Sequence, residues 1–187
     1  MPETIPHTDE AVSASPAVEQ SSGIPGQNQT FADFDVRPEI VAALGPFDLD
    51  PCAAPSPRPW PTAARHIELP EDGLAAEWAG RVWMNPPYGS VMGAWLAKLA
   101  AHGNGIALIF ARTETAMFHE QVWKRADGIR FLRGRIAFCD RQGKPAGPAG
   151  APSCLIAYGR GNAAVLRDSG IDGYSVDLTP SAHGPAD

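Results

Sequence analysis

The segment Arg81-Val82-Trp83-Met84-Asn85-Pro86-Pro87-Tyr88, residues 81–88, decides the fold class of this chain. Its first four residues are mostly apolar and predict a short strand, and the consecutive prolines end that strand because proline donates no backbone hydrogen bond. The apolar spacing over residues 91–101 then predicts a helix. Strand, turn and helix in this order are typical of an α/β sheet, in which ligands bind beyond the carboxyl ends of the strands. Residues 85–88 are therefore predicted to lie at a binding site.

The same alternation continues on both sides of this segment. The predicted helices cover residues 37–44, 91–101 and 114–124. The predicted strands cover residues 47–50, 81–84, 105–110, 129–132, 135–139 and 153–158, the last of these being the final strand. Proline- and glycine-rich loops are predicted over residues 51–61 and 142–152. Strands that alternate with helices predict an α/β fold with a parallel or mixed sheet that helices cover on both faces.

Composition divides the 187-residue chain into a core and two tails. Residues 1–30 are rich in proline, serine, glutamine and glutamate and contain few large apolar side chains, so we expect a disordered N-terminal tail. Residues 161–187 hold only scattered apolar side chains, so we expect a partly ordered C-terminal tail. A single folded domain is predicted between the tails, over residues 31–160.

Several classes of protein do not fit this sequence. No run of about 18 apolar residues is present, so a membrane span is not expected, and the N-terminus lacks the pattern of a secretory signal. The three cysteines and five histidines show neither a disulfide framework nor the spacing of metal ligands, so no metal site is predicted. These features fit a protein of a reducing cytoplasm.

The net charge of −6 is distributed unevenly along the chain. Residues 112–144 contain eight basic and four acidic residues, whereas residues 1–30 contain four acidic residues and no lysine or arginine. Arg112 follows the end of a predicted strand on the side of the binding site, and Arg133 and Arg135 alternate with apolar neighbours, which favours a shared face. These three arginines are candidate contacts to nucleic-acid phosphates, and a solvated surface with ion pairs is the alternative.

Asn85-Pro86-Pro87-Tyr88 has a composition that suits methyl transfer to an exocyclic amine. The lone pair of such an amine, as in adenine, is delocalised into the ring, and two acceptors aimed at its two protons draw the lone pair back onto nitrogen. The side-chain oxygen of Asn85 and the carbonyl of Pro86 are the candidate acceptors, and the prolines restrict their directions. Tyr88 offers an aromatic face on which a flipped base can stack. The alternative is a proline-stiffened turn with a surface tyrosine.

Further motifs accompany this tetrapeptide in a characteristic order. They are Phe47-Asp48-Leu49-Asp50-Pro51-Cys52-Ala53, Glu71-Asp72-Gly73-Leu74 with Trp78, Trp95 after the tetrapeptide, Ala111-Arg112-Thr113-Glu114-Thr115, and Phe131-Leu132-Arg133-Gly134-Arg135-Ile136-Ala137-Phe138. With these motifs the chain resembles, from about residue 34 to residue 158, the phage-type DNA N-6-adenine methyltransferases, a family that depends on S-adenosylmethionine.

The resemblance implies an abbreviated Rossmann-like methyltransferase sheet with helices on both faces. It implies a site-specific enzyme of phage or prophage type, in the cytoplasm of a bacterium or an infected host, that methylates N6 of an adenine flipped out of double-stranded DNA. Restriction protection is the role that the family suggests. Residues 85–88 are then the catalytic residues. The expected cofactor-binding residues are Phe34, Asp50, Pro51, Cys52, Ala53 and Asp72, with Asp50 near the cationic amino-acid end of the cofactor and Asp72 near its ribose or adenine.

Two segments depart from the family pattern. Arg37-Pro38 stands where the family has Thr-Pro, and the proline-rich residues 55–61 replace an Asn-Ala-Lys-like segment. These departures leave open a catalytically inactive DNA-binding module, and the tetrapeptide itself also fits methyl transfer to RNA adenine or to a protein glutamine amide. For Asp50 the alternative role is to close a turn before Pro51, and for Asp72 it is an ordinary Asp-Gly turn.

Overall fold

The computed structural model describes residues 35–140 and 142–178. Phe34 and the predicted N-terminal tail, residues 1–30, lie outside the described residues. The strands of the described part are β1 (Asp35–Val36), β2 (Leu49–Asp50), β3 (Arg65–His66), β4 (Val82–Met84), β5 (Gly105–Phe110), β6 (Gly128–Leu132), β7 (Ala137–Cys139), β8 (Pro145–Pro148), β9 (Ser153–Tyr158) and β10 (Gly173–Asp177). The helices are α1 (Pro38–Ala43), α2 (Met92–His102), α3 (Ala116–Phe118), which continues as a π-helical segment (His119–Trp123), and α4 (Arg160–Asp168).

Seven of these strands form one mixed sheet in the order β10-β6-β9-β5-β4-β2-β3. Strands β3, β2, β4 and β5 run parallel to one another. Strand β9 lies between β5 and β6 and is antiparallel to both, and β10 pairs antiparallel with β6 at the edge. This mixed sheet between helices confirms the predicted fold class, an α/β sheet of the Rossmann-like methyltransferase type.

Strand β5 shows how the sequence builds both faces of the sheet. Because successive side chains of a strand point to opposite faces, Ala107 and Ile109 join one buried apolar cluster, and Ile106 and Leu108 join the other. All four side chains are fully buried. Helices α2 and α3 contribute to the first cluster, and α1 and α4 flank the second. A strand buried on both faces has a continuous apolar sequence, which is why residues 105–110 predict this strand with its observed bounds.

Helix α2 fixes the position of the tetrapeptide that precedes it. Its buried residues Met92, Trp95, Leu96 and Leu99 follow the spacing of one helix face and pack against the sheet. The helix ends at Gly103, whose φ of 73° is the left-handed conformation that glycine adopts without strain. Residues 85–91 therefore connect two anchored elements, β4 and α2.

The predicted helix over residues 114–124 begins later than expected. The hydroxyl of Thr115 accepts a hydrogen bond from the backbone N–H of Phe118 at 3.3 Å, so Thr115 is the N-cap and α3 starts at Ala116. The helical turn then widens into the π-helical segment, which still buries Val122 in the first cluster. The predicted amphipathic helix is therefore present over residues 116–123, shorter than expected and π-helical in its second part.

The predicted loop over residues 142–152 contains a strand, which corrects that prediction. Strand β8 pairs with β7, and β7 pairs with β1, forming a separate three-stranded sheet. Strand β8 begins and ends with proline, a residue that sheets tolerate at their edges because it donates no ladder hydrogen bond. The predicted strand 135–139 is shortened to β7, since Gly134 with φ of 75° redirects the chain after β6.

The sheet extends past residue 160, the predicted end of the domain. Helix α4 buries Leu166 against the second cluster, and β10 adds a strand beside β6, so β9 is not the final strand. Each of these elements buries few apolar side chains, and Tyr174 of β10 is 74% exposed. The apolar pattern after residue 160 is therefore too sparse to predict them. Among the described residues, no helix is long and apolar enough to span a membrane.

Candidate active site

The carboxyl ends of three parallel strands meet at one edge of the main sheet. Strand β2 pairs with β4, and β4 pairs with β5, all in parallel register. The segments that follow these strands, residues 51–54, 85–88 and 111–115, therefore emerge on the same edge. The motifs predicted to bind cofactor and to catalyse are thus brought together by strand order rather than by closeness in sequence.

Asn85 is the polar residue at the centre of this edge. The thiol of Cys52 lies 3.4 Å from the Asn85 backbone oxygen and donates to it, which joins the 51–54 loop to the tetrapeptide. The side-chain oxygen Oδ1 of Asn85 is buried and has no hydrogen-bond partner among the described residues. Such an acceptor costs about 1–3 kcal/mol when it is left unsatisfied, which makes this oxygen a candidate to accept a hydrogen bond from a ligand.

Tyr88 is packed more tightly than a surface tyrosine. Its ring stacks on Phe110, the last residue of β5, with 4.1 Å between ring centroids and 29° between planes. The side chain is 8% exposed, and its burial raises the pKa of the phenol above its ordinary value. Pro86 and Pro87 are buried as well. The alternative of an exposed, proline-stiffened turn does not describe this segment, and one face of the Tyr88 ring is already occupied by Phe110.

Asp50 is buried and engaged with its own loop. One carboxylate oxygen accepts the backbone N–H of Cys52 at 3.2 Å, and the other accepts the hydroxyl of Thr62 at 2.5 Å. Its side chain is 3% exposed. Asp50 therefore closes a turn before Pro51, as the alternative role predicts, and its hydrogen bonds stabilise the 51–54 loop. Ala53, 6% exposed, anchors the same loop by donating to the Ile67 carbonyl at 3.0 Å.

The turn that carries Asp72 lies directly against the 51–54 loop. Asp72 accepts the backbone N–H of Leu74 at 2.9 Å, which is the Asp-Gly turn geometry. A Cβ atom added to Gly73 would lie 1.9 Å from the Pro51 carbonyl oxygen, so only glycine permits this approach. The structure therefore brings Asp72 next to Pro51, although 20 residues separate them in sequence.

The proline-rich segment is an ordered loop beside the site. Arg58 donates to the Ala54 carbonyl and pairs with Glu68, while the Trp60 indole donates to the Val36 carbonyl at 3.1 Å. These contacts connect the loop to the 51–54 loop, to the segment after β3 and to β1. The departure from the family pattern at residues 55–61 thus produces a defined structure rather than an unstructured insertion.

His66 bonds the backbone of Thr62, the residue whose hydroxyl donates to Asp50. Its Nε2 atom accepts the backbone N–H groups of Thr62 and Ala63 at 3.1 and 3.3 Å. Burial lowers the pKa of His66, and the neighbouring Arg58 lowers it further, while Glu68 opposes both effects. The neutral ring is therefore the form that this loop requires, because a protonated Nε2 could not accept either bond.

The predicted DNA-contacting arginines are exposed at the same edge of the sheet. Arg112 follows β5, and Arg133 and Arg135 follow β6. Arg133 lies 3.8 Å from Asp172 in a pair whose side chains are 80% and 75% exposed, a weak surface interaction. Arg135 donates to the Ala149 carbonyl at 2.8 Å. Arg133 and Arg135 do not share a strand face as predicted, because Gly134 turns the chain between them.

Sequence reasoning did not identify Phe110 and Lys98 as part of the site, and it counted the buried Arg130 among the basic residues of a surface segment. Phe110 backs Tyr88, and its position at the end of a predicted strand was the available signal. Lys98 contacts the Asp72 turn from α2, and nothing in its local sequence marks it. Arg130, counted in the basic segment, is 9% exposed and donates to backbone carbonyls and Ser175 instead of facing solvent. Among the described residues, no group of three or more histidine, cysteine or acidic side chains could hold a metal ion.

One comparison with known proteins finds a family whose model covers all of these motifs. The family model described as DNA N-6-adenine-methyltransferase (Dam) matches residues 34–160, about two-thirds of the chain. That match spans β1 to β9 and includes every segment assembled at the sheet edge. No curated protein and no solved structure matches the chain.

Proposed function

Because the chain belongs to the DNA N-6-adenine-methyltransferase (Dam) family, we propose that it transfers a methyl group from S-adenosylmethionine to N6 of an adenine flipped out of double-stranded DNA. The observation that carries this proposal is the buried Asn85 Oδ1, which has no partner among the described residues and lies beside the 51–54 loop. An acceptor kept in this state is suited to a donor that only the substrate brings, such as an exocyclic N–H.

The tetrapeptide promotes methyl transfer by accepting hydrogen bonds from the adenine amine, which makes the amine nitrogen more nucleophilic. Asn85 Oδ1 and the Pro86 carbonyl accept the two N–H groups of the adenine amine, which returns its lone pair to nitrogen. The anchoring of residues 85–88 between β4 and α2 would hold the adenine amine in place beside the cofactor loop, and such positioning supplies much of the acceleration in bimolecular reactions. Phe110 covers one face of the Tyr88 ring, so the flipped base would stack on the opposite face.

The neighbouring loop fits a cationic cofactor. When bound, S-adenosylmethionine supplies a methyl group attached to positively charged sulfur. Pro51, Cys52 and Ala53 would hold it beside Asn85, with Asp72 on the adjoining turn. The buried Asp50 carboxylate supports this loop by accepting the Cys52 backbone N–H. The resemblance adds Phe34 to this set.

DNA would bind across the basic half of the same edge. Arg112, Arg133 and Arg135 follow β5 and β6, on the side of the tetrapeptide away from β2 and β3. Their exposure allows phosphate contacts that fix the duplex while one nucleotide is turned outward. The resemblance to phage-type enzymes supports a site-specific enzyme of phage or prophage type in the cytoplasm of a bacterium or an infected host, and protection from restriction is the role that this family suggests.

One experiment tests the acceptor and the donor together. The protein is incubated with S-adenosylmethionine carrying an isotopically labelled methyl group and, separately, with unmethylated double-stranded DNA, RNA and a glutamine-containing protein. Digested products are then resolved by mass. We expect label in N6-methyladenine from DNA alone, and none with the Asn85→Ala variant.

Other outcomes distinguish the alternatives. Label only in RNA adenine or only in protein glutamine would replace the proposed acceptor. No transfer to any substrate, together with a retained shift of DNA in a gel, would identify a catalytically inactive DNA-binding module.

A further inference from the structure

Lys98 connects α2 to the turn that carries Asp72. Its ammonium nitrogen Nζ lies 2.6 Å from the carbonyl oxygens of both Leu74 and Ala76 and 3.3 Å from that of Gly73. An ammonium group has three N–H donors in three directions, and here each has a backbone carbonyl within reach. The side chain of one helix residue thus gathers three successive parts of a single turn.

Trp78 reinforces this arrangement from the other end of the turn. Its indole N–H donates to the Gly73 carbonyl at 2.8 Å, and the Lys98 ammonium lies 4.8 Å from the centre of its ring. The Trp78 ring also stacks on Trp95 of α2 at a centroid distance of 6.2 Å. Both ends of the turn are therefore fastened to the helix that begins shortly after the tetrapeptide.

The clamped turn is in close contact with the 51–54 loop. The site where a Cβ atom of Gly73 would stand is 1.9 Å from the Pro51 carbonyl oxygen and 2.9 Å from the Trp95 ring. A shift of the turn toward or away from α2 would therefore change the position of Asp72 relative to Pro51. In this way α2 sets two positions at once, those of the tetrapeptide and of the Asp72 turn.

We propose that Lys98 is a positioning residue for the cofactor: it holds the Asp72 turn against the 51–54 loop and so determines the affinity for S-adenosylmethionine without taking part in methyl transfer. This inference rests on the proposed function, since it takes the 51–54 loop and Asp72 as the cofactor site.

Replacement of Lys98 tests the clamp through binding rather than through turnover. Cofactor affinity of the full chain is measured by calorimetry in the absence of DNA. We expect Lys98→Met to raise the Kd for S-adenosylmethionine about tenfold or more, the loss typical of charge-assisted hydrogen bonds. Lys98→Arg, which keeps the charge but presents planar donors, should recover part of that loss.

Two further variants separate positioning from general damage. Lys124→Met removes another lysine, one that forms an exposed pair with Glu120 on the π-helical segment, and should leave the Kd unchanged. Gly73→Ala displaces the same turn from the opposite side and should raise the Kd as Lys98→Met does. Thermal unfolding of each variant verifies that binding is measured on folded protein.

Turnover measured over a range of cofactor concentrations, up to saturation, completes the test. The KM for S-adenosylmethionine should rise in Lys98→Met while kcat stays within about twofold, the signature of lost uniform binding. Wild-type affinity in Lys98→Met, or a loss of kcat with unchanged KM, would overturn the proposal. Cofactor binding by the unaltered chain without DNA methylation would overturn only the proposed acceptor, whereas no cofactor binding at all would overturn both.

Discussion

The unpartnered side-chain oxygen of Asn85 is a cost to the fold, and this cost supports the role proposed for Asn85 in the reaction. Its buried side-chain oxygen has no partner among the described residues, whereas the nearby Asp50 carboxylate is held by Cys52 and Thr62. Buried acceptors are normally satisfied, so an unpartnered one calls for an explanation, of which a catalytic role is one. The two residues therefore differ in what they bond, since the Asp50 carboxylate is used within its own loop, whereas the Asn85 oxygen is the acceptor that we propose for the substrate.

Asn85→Ala and Tyr88→Ala should each lower the rate of methyl transfer by about a hundredfold or more. This is the loss in kcat that follows removal of one positioned polar group in other enzymes. Cofactor affinity should remain nearly unchanged, because neither side chain belongs to the 51–54 loop. Single-turnover kinetics and calorimetry measure the two quantities. Tyr88→Phe, which preserves the stack on Phe110, should retain most activity. Loss of cofactor binding in both alanine variants would show that these residues have been given the wrong role.

The turn after β6 carries two of the three arginines that we propose contact DNA, Arg133 and Arg135. Gly134 separates Arg133 from Arg135, so one arginine reaches into solvent beside Asp172 while the other is tied to the Ala149 carbonyl. Exposed pairs at 3.8 Å contribute little stability, which leaves Arg133 available to a phosphate. The turn is thus better suited to contacting a backbone than to reading a base.

Replacing Arg133 and Arg135 by alanine should flatten the salt dependence of DNA binding. Each lost phosphate contact reduces the slope of log K against log salt by about 0.9. Fluorescence anisotropy with a labelled duplex over a series of salt concentrations measures that slope. Arg167→Ala, which removes an exposed arginine paired with Asp168 on α4, serves as the matched control and should leave the slope unchanged. A slope preserved in the double variant would return both arginines to an ordinary solvated surface.

Strand β3 and the loop before it depend on the protonation state of His66. Since the folded-state pKa of His66 is lowered from 6.5, mainly by burial, the unfolded chain takes up the proton first. The stability from this group is fully present above about pH 6.5 and is lost as the pH falls from there through the lower folded-state value. Urea unfolding at pH 7.5, 6.5 and 5.5 should show this loss in the wild type and less of it in His66→Gln. Equal losses in both proteins would contradict the assignment.

At the scale of the whole molecule, Arg130 joins three elements that the sequence keeps apart. From β6 its guanidinium donates to the Arg167 carbonyl at the end of α4, to the Ile171 carbonyl after it, and to the Ser175 hydroxyl of β10 at 2.7 Å. A cation at the carbonyl end of a helix is favourably placed with respect to the helix dipole. This contact explains how a sparsely apolar C-terminal region becomes part of the sheet.

Arg130→Met should lower the free energy of unfolding by about 1–3 kcal/mol, because three acceptors lose a charged donor inside the fold. Chemical denaturation monitored by circular dichroism measures the difference. Arg125→Met removes an exposed arginine in the turn after the π-helical segment, whose side chain donates to that of Gln121, and should change stability by no more than about 0.5 kcal/mol. Equal effects of the two variants would show that Arg130 does not join the C-terminal elements to the sheet.

Local sequence patterns predicted most of the elements but not all of their partners. The apolar run 105–110 became β5 with its observed bounds, and the spacing over 91–101 became α2 shifted by one residue. Strands β8 and β10 escaped prediction because their stability comes from pairing with β7 and β6 rather than from their own apolar residues. Edge strands are determined by neighbours, and neighbours that are distant in sequence leave no local pattern.

The sequence by itself determined the α/β class and pointed to the segments proposed to carry the chemistry, since hydrophobic periodicity, prolines and the Asn-Pro-Pro-Tyr motif act over a few residues. Only the tertiary structure decided which of these segments meet. Parallel pairing of β2, β4 and β5 puts Cys52 against Asn85 and Phe110 against Tyr88, and the packing of α2 puts Lys98 against the turn of Asp72. Those contacts join residues far apart in the chain, and burial, strand order and backbone hydrogen bonds that no local pattern encodes bring them together.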